Sequence, residues 1–440
     1  MLMRNVVVIG GGFAGTEVMR QLEKHLPSGW QAVLISEENY MIYTPLLPEV
    51  VGGAMLPGHA VAPLRRMVAK GDFRYGRVSH IDTDRRRVYY GEDGDRELGY
   101  DHLVLACGVR AKLDLVPGMV DYGMPLKTLG DALYLRNRLI QRLEQSEQTD
   151  DPELRRQLLS FYVIGGGSSG VEVAGAMRDF FRAACRQYHN LDQQEVEVVL
   201  VESGDRLLPE FPASLGRFAH HALEDSGVQV RFNTRIGKVD EYGCEDNEGR
   251  RYQSRNVVCT IGTRPSPLIE GLDLAKQKGR LVTAADMSVP DADNLWAVGD
   301  CAMITNGASG EVSPPTAQFA LRQGRQLADN IINTIQGRET QPFSYISRGE
   351  LATVGHHRAV ARLYGLKLSG FPAWLLWRAF YLLKMPTLLR KLQVYFEWNI
   401  GMIFPQDVTQ LHYQRTRWQD QDRSGGDSEA RAPRRYGHLR

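Results

Sequence analysis

The sequence predicts an α/β protein of two Rossmann-like units, closed by a C-terminal amphipathic helical segment. Three observations predict it. A glycine-rich strand-to-helix turn opens the chain, a second copy of that turn begins at Phe161, and an aromatic, basic stretch begins at Phe371.

The first turn is Val6 to Glu17, VVVIGGGFAGTE. Val6 to Ile9 reads as a buried strand and Phe13 onward as a helix. Gly10, Gly12 and Gly15 fall at G-x-G-x-x-G spacing. The first glycine allows the tight turn, the second lets a pyrophosphate approach the backbone, and the third lets helix pack on strand. The helix start then offers free N–H groups and partial positive charge to phosphates. The second turn, Phe161 to Gly175, reads FYVIGGGSSGVEVAG and sets Gly165, Gly167 and Gly170 at the same spacing. Two such turns imply two dinucleotides held by one protein.

A chain of 440 residues is too long for one ordinary core. Lys plus Arg number 53 and Asp plus Glu 52, a formal net charge of +1, which argues against a general nucleic-acid binder. The five cysteines form no C-x-x-C or other tight pair, so neither a zinc site nor a disulfide framework is expected, and no metal. The first strand starts almost at the N-terminus, and no signal peptide is expected.

Trp30 to Ile35 reads as the second parallel strand. Such units place an acid at its end to bond the adenosine ribose; here Ser36 and Glu37 stand there, with Glu37 expected to do the bonding. Tyr43 to Pro48, YTPLLP, is stiffened by two prolines, and this apolar loop offers a wall for a flat ring. Asp72 to Tyr90 reads as short strands around a solvated turn, Arg85-Arg86-Arg87. Tyr100 to Gly108 is a further buried strand ending in glycine. Asp131 to Glu144 is an amphipathic helix with Leu135, Leu139 and Leu143 on one face. Gln145 to Glu153 reads as a surface linker.

In the second unit the strand Val196 to Val201 ends in Glu202. A carboxylate there accepts both ribose hydroxyls and repels a 2′-phosphate, which favours NADH over NADPH; Arg206 nearby works against that preference. Val257 to Gly262 closes the unit. Leu295 to Cys301, LWAVGDC, is a strand running into Asp300, whose carboxylate suits a sugar or ribityl chain. Pro315 to Asn330 follows as a helix whose Ala317 and Ala320 admit a planar group.

These motifs resemble the two-dinucleotide flavoprotein reductases, and within them the type II NADH:quinone oxidoreductases. The resemblance rests on VVVIGGGFAGTE, NYMIYTPLLPEV, LVLACG, VIGGGSSGVEVAG, LVESGDRLLP, LWAVGDCA and PPTAQFALRQG, and runs from about residue 4 to about residue 411. It implies two electrons passing from NADH through FAD to a membrane quinone without proton pumping. It implies an FAD-binding domain at 1–125 and 286–340, an NADH-binding domain at 126–285 and a membrane-associating domain at 341–411, while 412–440 reads by composition as a disordered tail. Asp300 would hold the ribityl chain, Thr44 and Pro45 would lie near the isoalloxazine, and Gly108 and Gly262 would line the two nucleotide sites. Ala317 and Gln318 would face flavin and quinone, and Glu172 would lie between nicotinamide and flavin. The chain departs from the family pattern at Ser36, Cys107 and Arg322, with Gln323 following where the pattern has glutamine one residue earlier. Cys107 and Cys301 are expected as inert packing. The remaining alternatives are a sulfide:quinone-type enzyme, a soluble NAD(P)H flavoprotein reductase, and a nucleotide-sensing protein without turnover.

Phe371 to Leu383, FPAWLLWRAFYLL, carries one charge, Arg378, and is too short to span a bilayer. With Leu388 to Trp398 and the basic Lys384, Arg390 and Lys391, it reads as a helix pair lying in a membrane surface. Peripheral, monotopic attachment through residues 371–411 on the cytoplasmic face of the cell membrane is expected, as is a homodimer. His356 and His357 read as structural.

Overall fold

The computed structural model describes residues 3–402 and 407–411. The tail expected to be disordered, 412–440, lies outside the described residues. In chain order the strands that organise the two units are β1 (Arg4–Ile9), β2 (Trp30–Ser36), β3 (Asp72–Tyr75), β4 (His102–Leu105), β5 (Gly123–Pro125), β6 (Ser160–Ile164), β7 (Glu197–Val201), β8 (Val228–Arg231), β9 (Val257–Cys259) and β10 (Leu295–Ala297).

β10, β4, β1, β2 and β3 form one parallel sheet, and β5, β9, β6, β7 and β8 form another. The central strands are apolar runs buried on both faces, which is what parallel pairing under helices requires. Val8 sits level with Leu34 on one side and Val104 on the other. Val163 sits likewise between Leu200 and Val258. In each sheet the strand carrying the glycine turn is flanked by the next strand on one side and a later strand on the other. The crossover direction reverses there, and ligands enter open α/β sheets at such a point.

The helices that bear on the site are α1 (Phe13–His25), α2 (Leu47–Val51), α3 (Leu129–Gln148), α4 (Ser168–Ala184) and α5 (Ala317–Ile335). α3 begins in a capping box: the Asp131 N–H donates to Thr128 Oγ1 at 3.0 Å and the Thr128 N–H to Asp131 Oδ2 at 2.8 Å. Leu135, Leu139 and Leu143 are fully buried, as their spacing predicts. The expected linker is shorter than its polar composition suggests. Gln145 to Gln148 completes α3, and a helix at Pro152–Leu159 starts on an Asp151 cap, leaving Thr149 to Asp151 between them. The solvated turn is likewise narrower than expected, because Arg87 already pairs with Gly99 and Arg86 takes the turn at φ +53°.

α1 and α5 cross closely. A Cβ on Gly324 would meet the Ala14 carbonyl oxygen at 2.6 Å, so only glycine lets the two helices approach this far.

A three-stranded antiparallel sheet, β11 (Gly349–Thr353), β12 (Ala359–Leu363) and β13 (Leu366–Gly370), precedes the C-terminal helices α6 (Phe371–Lys384) and α7 (Leu388–Ile400). The aromatic residues of this pair divide against expectation. Trp374, Trp377 and Trp398 are buried, with the rings of Trp377 and Trp398 5.8 Å apart and the Arg378 guanidinium over Trp374 and Trp398. Their helical spacing aims them at the core. Leu375, Leu383, Leu388, Leu392 and Phe396 form the exposed ridge instead. Among the described residues no helix is long and apolar enough to cross a membrane.

Candidate functional site

The residues expected to hold the first nucleotide gather at the carboxyl ends of adjacent parallel strands. Gly10 follows β1, Ser36 and Glu37 close β2, Gly108 follows β4 and Asp300 follows β10. They line one cavity of about 1020 Å³, together with Gly12, Thr44, Cys107, Ala317 and Ala320. The glycines earn their places separately. A Cβ on Gly10 would strike the Ala106 carbonyl at 2.3 Å, one on Gly15 would strike the Gly10 carbonyl at 2.0 Å, and one on Gly12 would meet no protein atom within 4 Å. Gly12 therefore leaves its backbone open to the cavity at the start of α1, which has no side-chain cap.

Asp300 is the strongest indication of what the cavity holds. Its carboxylate lines the cavity and accepts no hydrogen bond from the described residues, whereas its backbone carbonyl is bonded by Arg280 Nε at 2.9 Å. Burial raises its carboxyl above the usual range, with Lys127 and Arg280 acting the other way. An acceptor held there without a donor suits the hydroxyls of a ribityl chain. The long cavity, the open glycine turn and this acceptor fit FAD.

Glu37 does not stand free for the ribose. Arg110 Nη2 donates to both its oxygens at 3.0 and 3.2 Å, and Arg77 lies 3.7 Å away. Ser36 is buried beneath it. Thr44 starts a short 3₁₀ turn, Thr44–Leu46, with Pro45 as its second residue. Cys301 is buried as expected, and burial pushes its thiol up to about 11. Cys107 departs from the packing role: it is only half-buried and lines the cavity, although desolvation holds its thiol well above the usual range. All five cysteines are free.

The second unit repeats the arrangement. Gly165 follows β6, Glu202 follows β7 and Gly262 lies just past β9. A Cβ on Gly170 would strike the Gly165 carbonyl at 1.8 Å, and one on Gly167 would meet nothing. Glu202 accepts from the N–H groups of Gly166 and Gly204, each at 2.6 Å, so the acid is fixed against the glycine turn. Gly262 takes φ +72° and its carbonyl accepts from the Lys112 N–H at 3.3 Å. One residue here is unmarked in the sequence: Glu210 accepts from the N–H and hydroxyl of Ser168 at the first turn of α4.

Glu172 is buried on α4, and its Oε1 accepts from the Thr353 N–H of β11 at 3.1 Å. Burial pushes its carboxyl up to about 8, the Thr353 bond opposes that, and Glu49 adds to it. Burial likewise pushes Glu49 on α2 up to about 7. Gln318 lies apart from the cavity lining, although its neighbour Ala317 is on it. Its amide donates to Ser347 Oγ at 2.9 Å and to the Gly349 carbonyl at 3.2 Å, and accepts from the Tyr345 hydroxyl at 3.3 Å. Gln323, seen in sequence only as a displaced motif residue, is buried and bonds Gly299 beside Asp300. The His356 N–H donates to Asp179 Oδ2 at 2.5 Å, and the His356 and His357 rings lie 3.6 Å apart.

Two switch points, each built from a glycine turn and an acid at strand ends, define an oxidoreductase of two dinucleotides. Residues 4–324 match the family described as pyridine nucleotide-disulphide oxidoreductase, and 348–407 match the NDH2 C-terminal domain. The chain is 30% identical over 417 residues to a type II NADH:quinone oxidoreductase of Mycobacterium tuberculosis, covering 90% of this chain and 88% of that one. It is 28% identical over 376 residues to one from Staphylococcus aureus, covering 83% and 91%. The fold is similar to that of Plasmodium falciparum NDH2 in complex with NADH, with TM-score 0.85, 18% identity, and 92% and 99% of the two chains covered. The chain belongs to the type II NADH:quinone oxidoreductases. Its cofactors are FAD and NADH.

Proposed function

We propose a division of labour for NADH:quinone oxidoreduction in which the cavity below β1, β2, β4 and β10 seats FAD and the ends of β6, β7 and β9 seat NADH. The observation that supports it above all is the undonated Asp300 carboxylate on a cavity that also reaches the open Gly12 turn. When bound, FAD supplies the two-electron acceptor and donor. The chain supplies position. Gly10, Gly12 and Gly15 shape the pyrophosphate turn, Asp300 orients the ribityl hydroxyls, and Thr44, Pro45 and Ala317 wall the ring. Gly165, Gly167 and Gly170 repeat the turn for NADH, and Glu202 selects the 2′-hydroxyl. Ser36, Glu37, Gly108 and Gly262 close the two sites.

Glu172 keeps its proton at neutral pH, because burial holds its carboxyl near 8. It is suited to hold or pass a proton beside the site where the quinone is reduced. Gln318, fastened to Tyr345, Ser347 and Gly349, sets the approach of the quinone headgroup. Attachment to the membrane is peripheral, through the apolar ridge of α6 and α7, and the five free thiols suit the reducing, cytoplasmic face. A homodimer completes the proposal, and sedimentation of the detergent-solubilised protein checks it. The test of the whole reading is anaerobic reduction of the purified yellow protein by NADH, followed by reoxidation with a quinone. Flavin that NADH does not bleach, or that a quinone does not reoxidise, overturns it. Asp300→Ala should lose flavin on dilution; full retention overturns the ribityl contact.

A further inference from the structure

A second cavity, of about 720 Å³, lies between the flavin unit and the C-terminal helices, and among the described residues only Phe13 borders both it and the flavin cavity. Arg66, Arg322, Arg348, Lys384 and Lys391 all line it. None of the five has a carboxylate partner among the described residues. Arg322 lies over the Tyr345 ring and Lys384 over the Phe380 ring. The one acid on the lining, Glu17, already serves Arg20 at 2.9 Å and Arg325 at 3.4 Å. Burial, then the fields of Arg322, Arg348 and Lys391, lowers the Lys384 ammonium below its usual range. Like charges from α5, α6, α7, the short helix Leu64–Met67 and the loop before β11 thus face one another across a cavity whose one acid is already paired. A quinone is uncharged and does not answer them.

The other half of the lining is apolar. Leu383, Met385 and Pro386 lie on it, and Leu383 is exposed, as are Leu388 and Leu392 of the neighbouring ridge. We propose that this cleft binds the phosphate-ester headgroup of an acidic phospholipid, with the acyl chains lying along that ridge. The inference rests on the reading that α6 and α7 meet the membrane. It deepens that reading from a general attraction for anionic lipid to a defined headgroup site. Arginines fork onto phosphate oxygens and lysines neutralise them as point charges, so the donor set matches a phosphate diester.

The test is flotation of the full-length protein with vesicles of phosphatidylcholine alone, and with vesicles in which phosphatidylglycerol replaces part of it. Arg66→Gln/Arg348→Gln/Lys391→Gln is compared with Lys24→Gln/Arg235→Gln/Arg338→Gln, which removes the same charge from exposed positions off the cleft. The cleft triple should lose the preference for phosphatidylglycerol at least about tenfold, while the control triple stays within about twofold of wild type. Retained flavin absorbance reports that each variant folds. Arg66→Lys/Arg348→Lys, which keeps the charge, should keep the preference. Calorimetry of glycerol phosphate on the solubilised protein should show binding that the cleft triple loses.

Equal loss in both triples, or no loss in the cleft triple, overturns the proposal. Loss of glycerol phosphate binding with the lipid preference intact overturns the lipid in favour of a free phosphate ester. A wild type that floats equally with both vesicles overturns the headgroup site alone. One that floats with neither overturns the membrane reading and the lipid with it.

Discussion

Gln323 Oε1 accepts a hydrogen bond from the Gly299 N–H at 3.2 Å, and both groups are buried. Gly299 holds φ +76° immediately before Asp300. The bond ties the turn that presents Asp300, the proposed ribityl acceptor, to α5. Gln323→Leu would leave a buried N–H without a partner, at a cost of roughly 1–3 kcal/mol. Flavin should then leave faster on dilution, read by the rise in free-flavin fluorescence. An unchanged release rate would show that the turn holds itself.

NADH should be preferred to NADPH, by about tenfold or more in kcat/KM for a contact of roughly 1–3 kcal/mol. Glu202 is pinned by two N–H groups and cannot swing away from a 2′-phosphate. Arg206, the group that works against the preference, donates to the Pro209 carbonyl at 2.8 Å. Steady-state kinetics with both nucleotides decide, and Glu202→Gln should narrow the ratio.

Glu172 should make the fold pH-dependent. Its folded carboxyl lies near 8 against an ordinary value of 4.5, so its contribution to stability is complete below about pH 4.5 and is lost as pH rises through 8. Glu172→Gln removes the group that must ionise. The melting temperature of the variant should therefore fall less than wild type between pH 6 and pH 9, a difference of a few kcal/mol at most. Parallel melting curves would show that another group carries the dependence.

On the role proposed for it, Gln318→Ala should slow quinone reoxidation of the flavin about tenfold or more, and leave reduction by NADH within about twofold. Stopped-flow traces separate the halves. Slowing confined to the NADH half would move Gln318 to the other side.

The ridge, rather than the whole C-terminal region, is the element to break. Removing everything after residue 370 would strip Trp374, Trp377 and Trp398 from the core. Leu383→Asp/Leu388→Asp/Leu392→Asp should instead detach the protein from vesicles while flavin stays bound, because these side chains are exposed and each insertion lost costs about 1 kcal/mol or more. Reduction of a long-tailed quinone in liposomes should fall far more than that of a short-chain quinone. A variant that still floats with lipid would place the membrane surface elsewhere.

The two glycine turns and the place of Asp300 on the cavity were legible because local spacing at strand ends decides them. What tertiary packing decides was less legible. Aromatic composition made the tryptophans of α6 and α7 read as interfacial, although their helical phase points inward. The polar end of α3 read as linker because its composition is that of a surface, yet Ser146 is buried there and Glu147 accepts from the His189 and Asn190 N–H groups. β11 to β13 mix polar and apolar residues too loosely for a strand pattern, yet they supply the Thr353 N–H that meets Glu172. Glu210 and Gln323 act through partners distant in sequence, which no local motif marks.

The pairing of β10 with β4 has a consequence for synthesis. The Trp296 indole bonds His102, 194 residues earlier in the chain. When β1 to β4 leave the ribosome, the β4 edge has no neighbour, and it stays open while the entire second unit is made. That unit is contiguous from β5 to β9 and can close first, as domains commonly do during translation. Only then does β10 arrive, bringing Asp300 and α5 with it. Until that moment the nascent chain carries a bare, apolar strand edge, its most aggregation-prone stretch. Flavin cannot be captured early, so supply of flavin during translation should matter less to yield than protection of that edge.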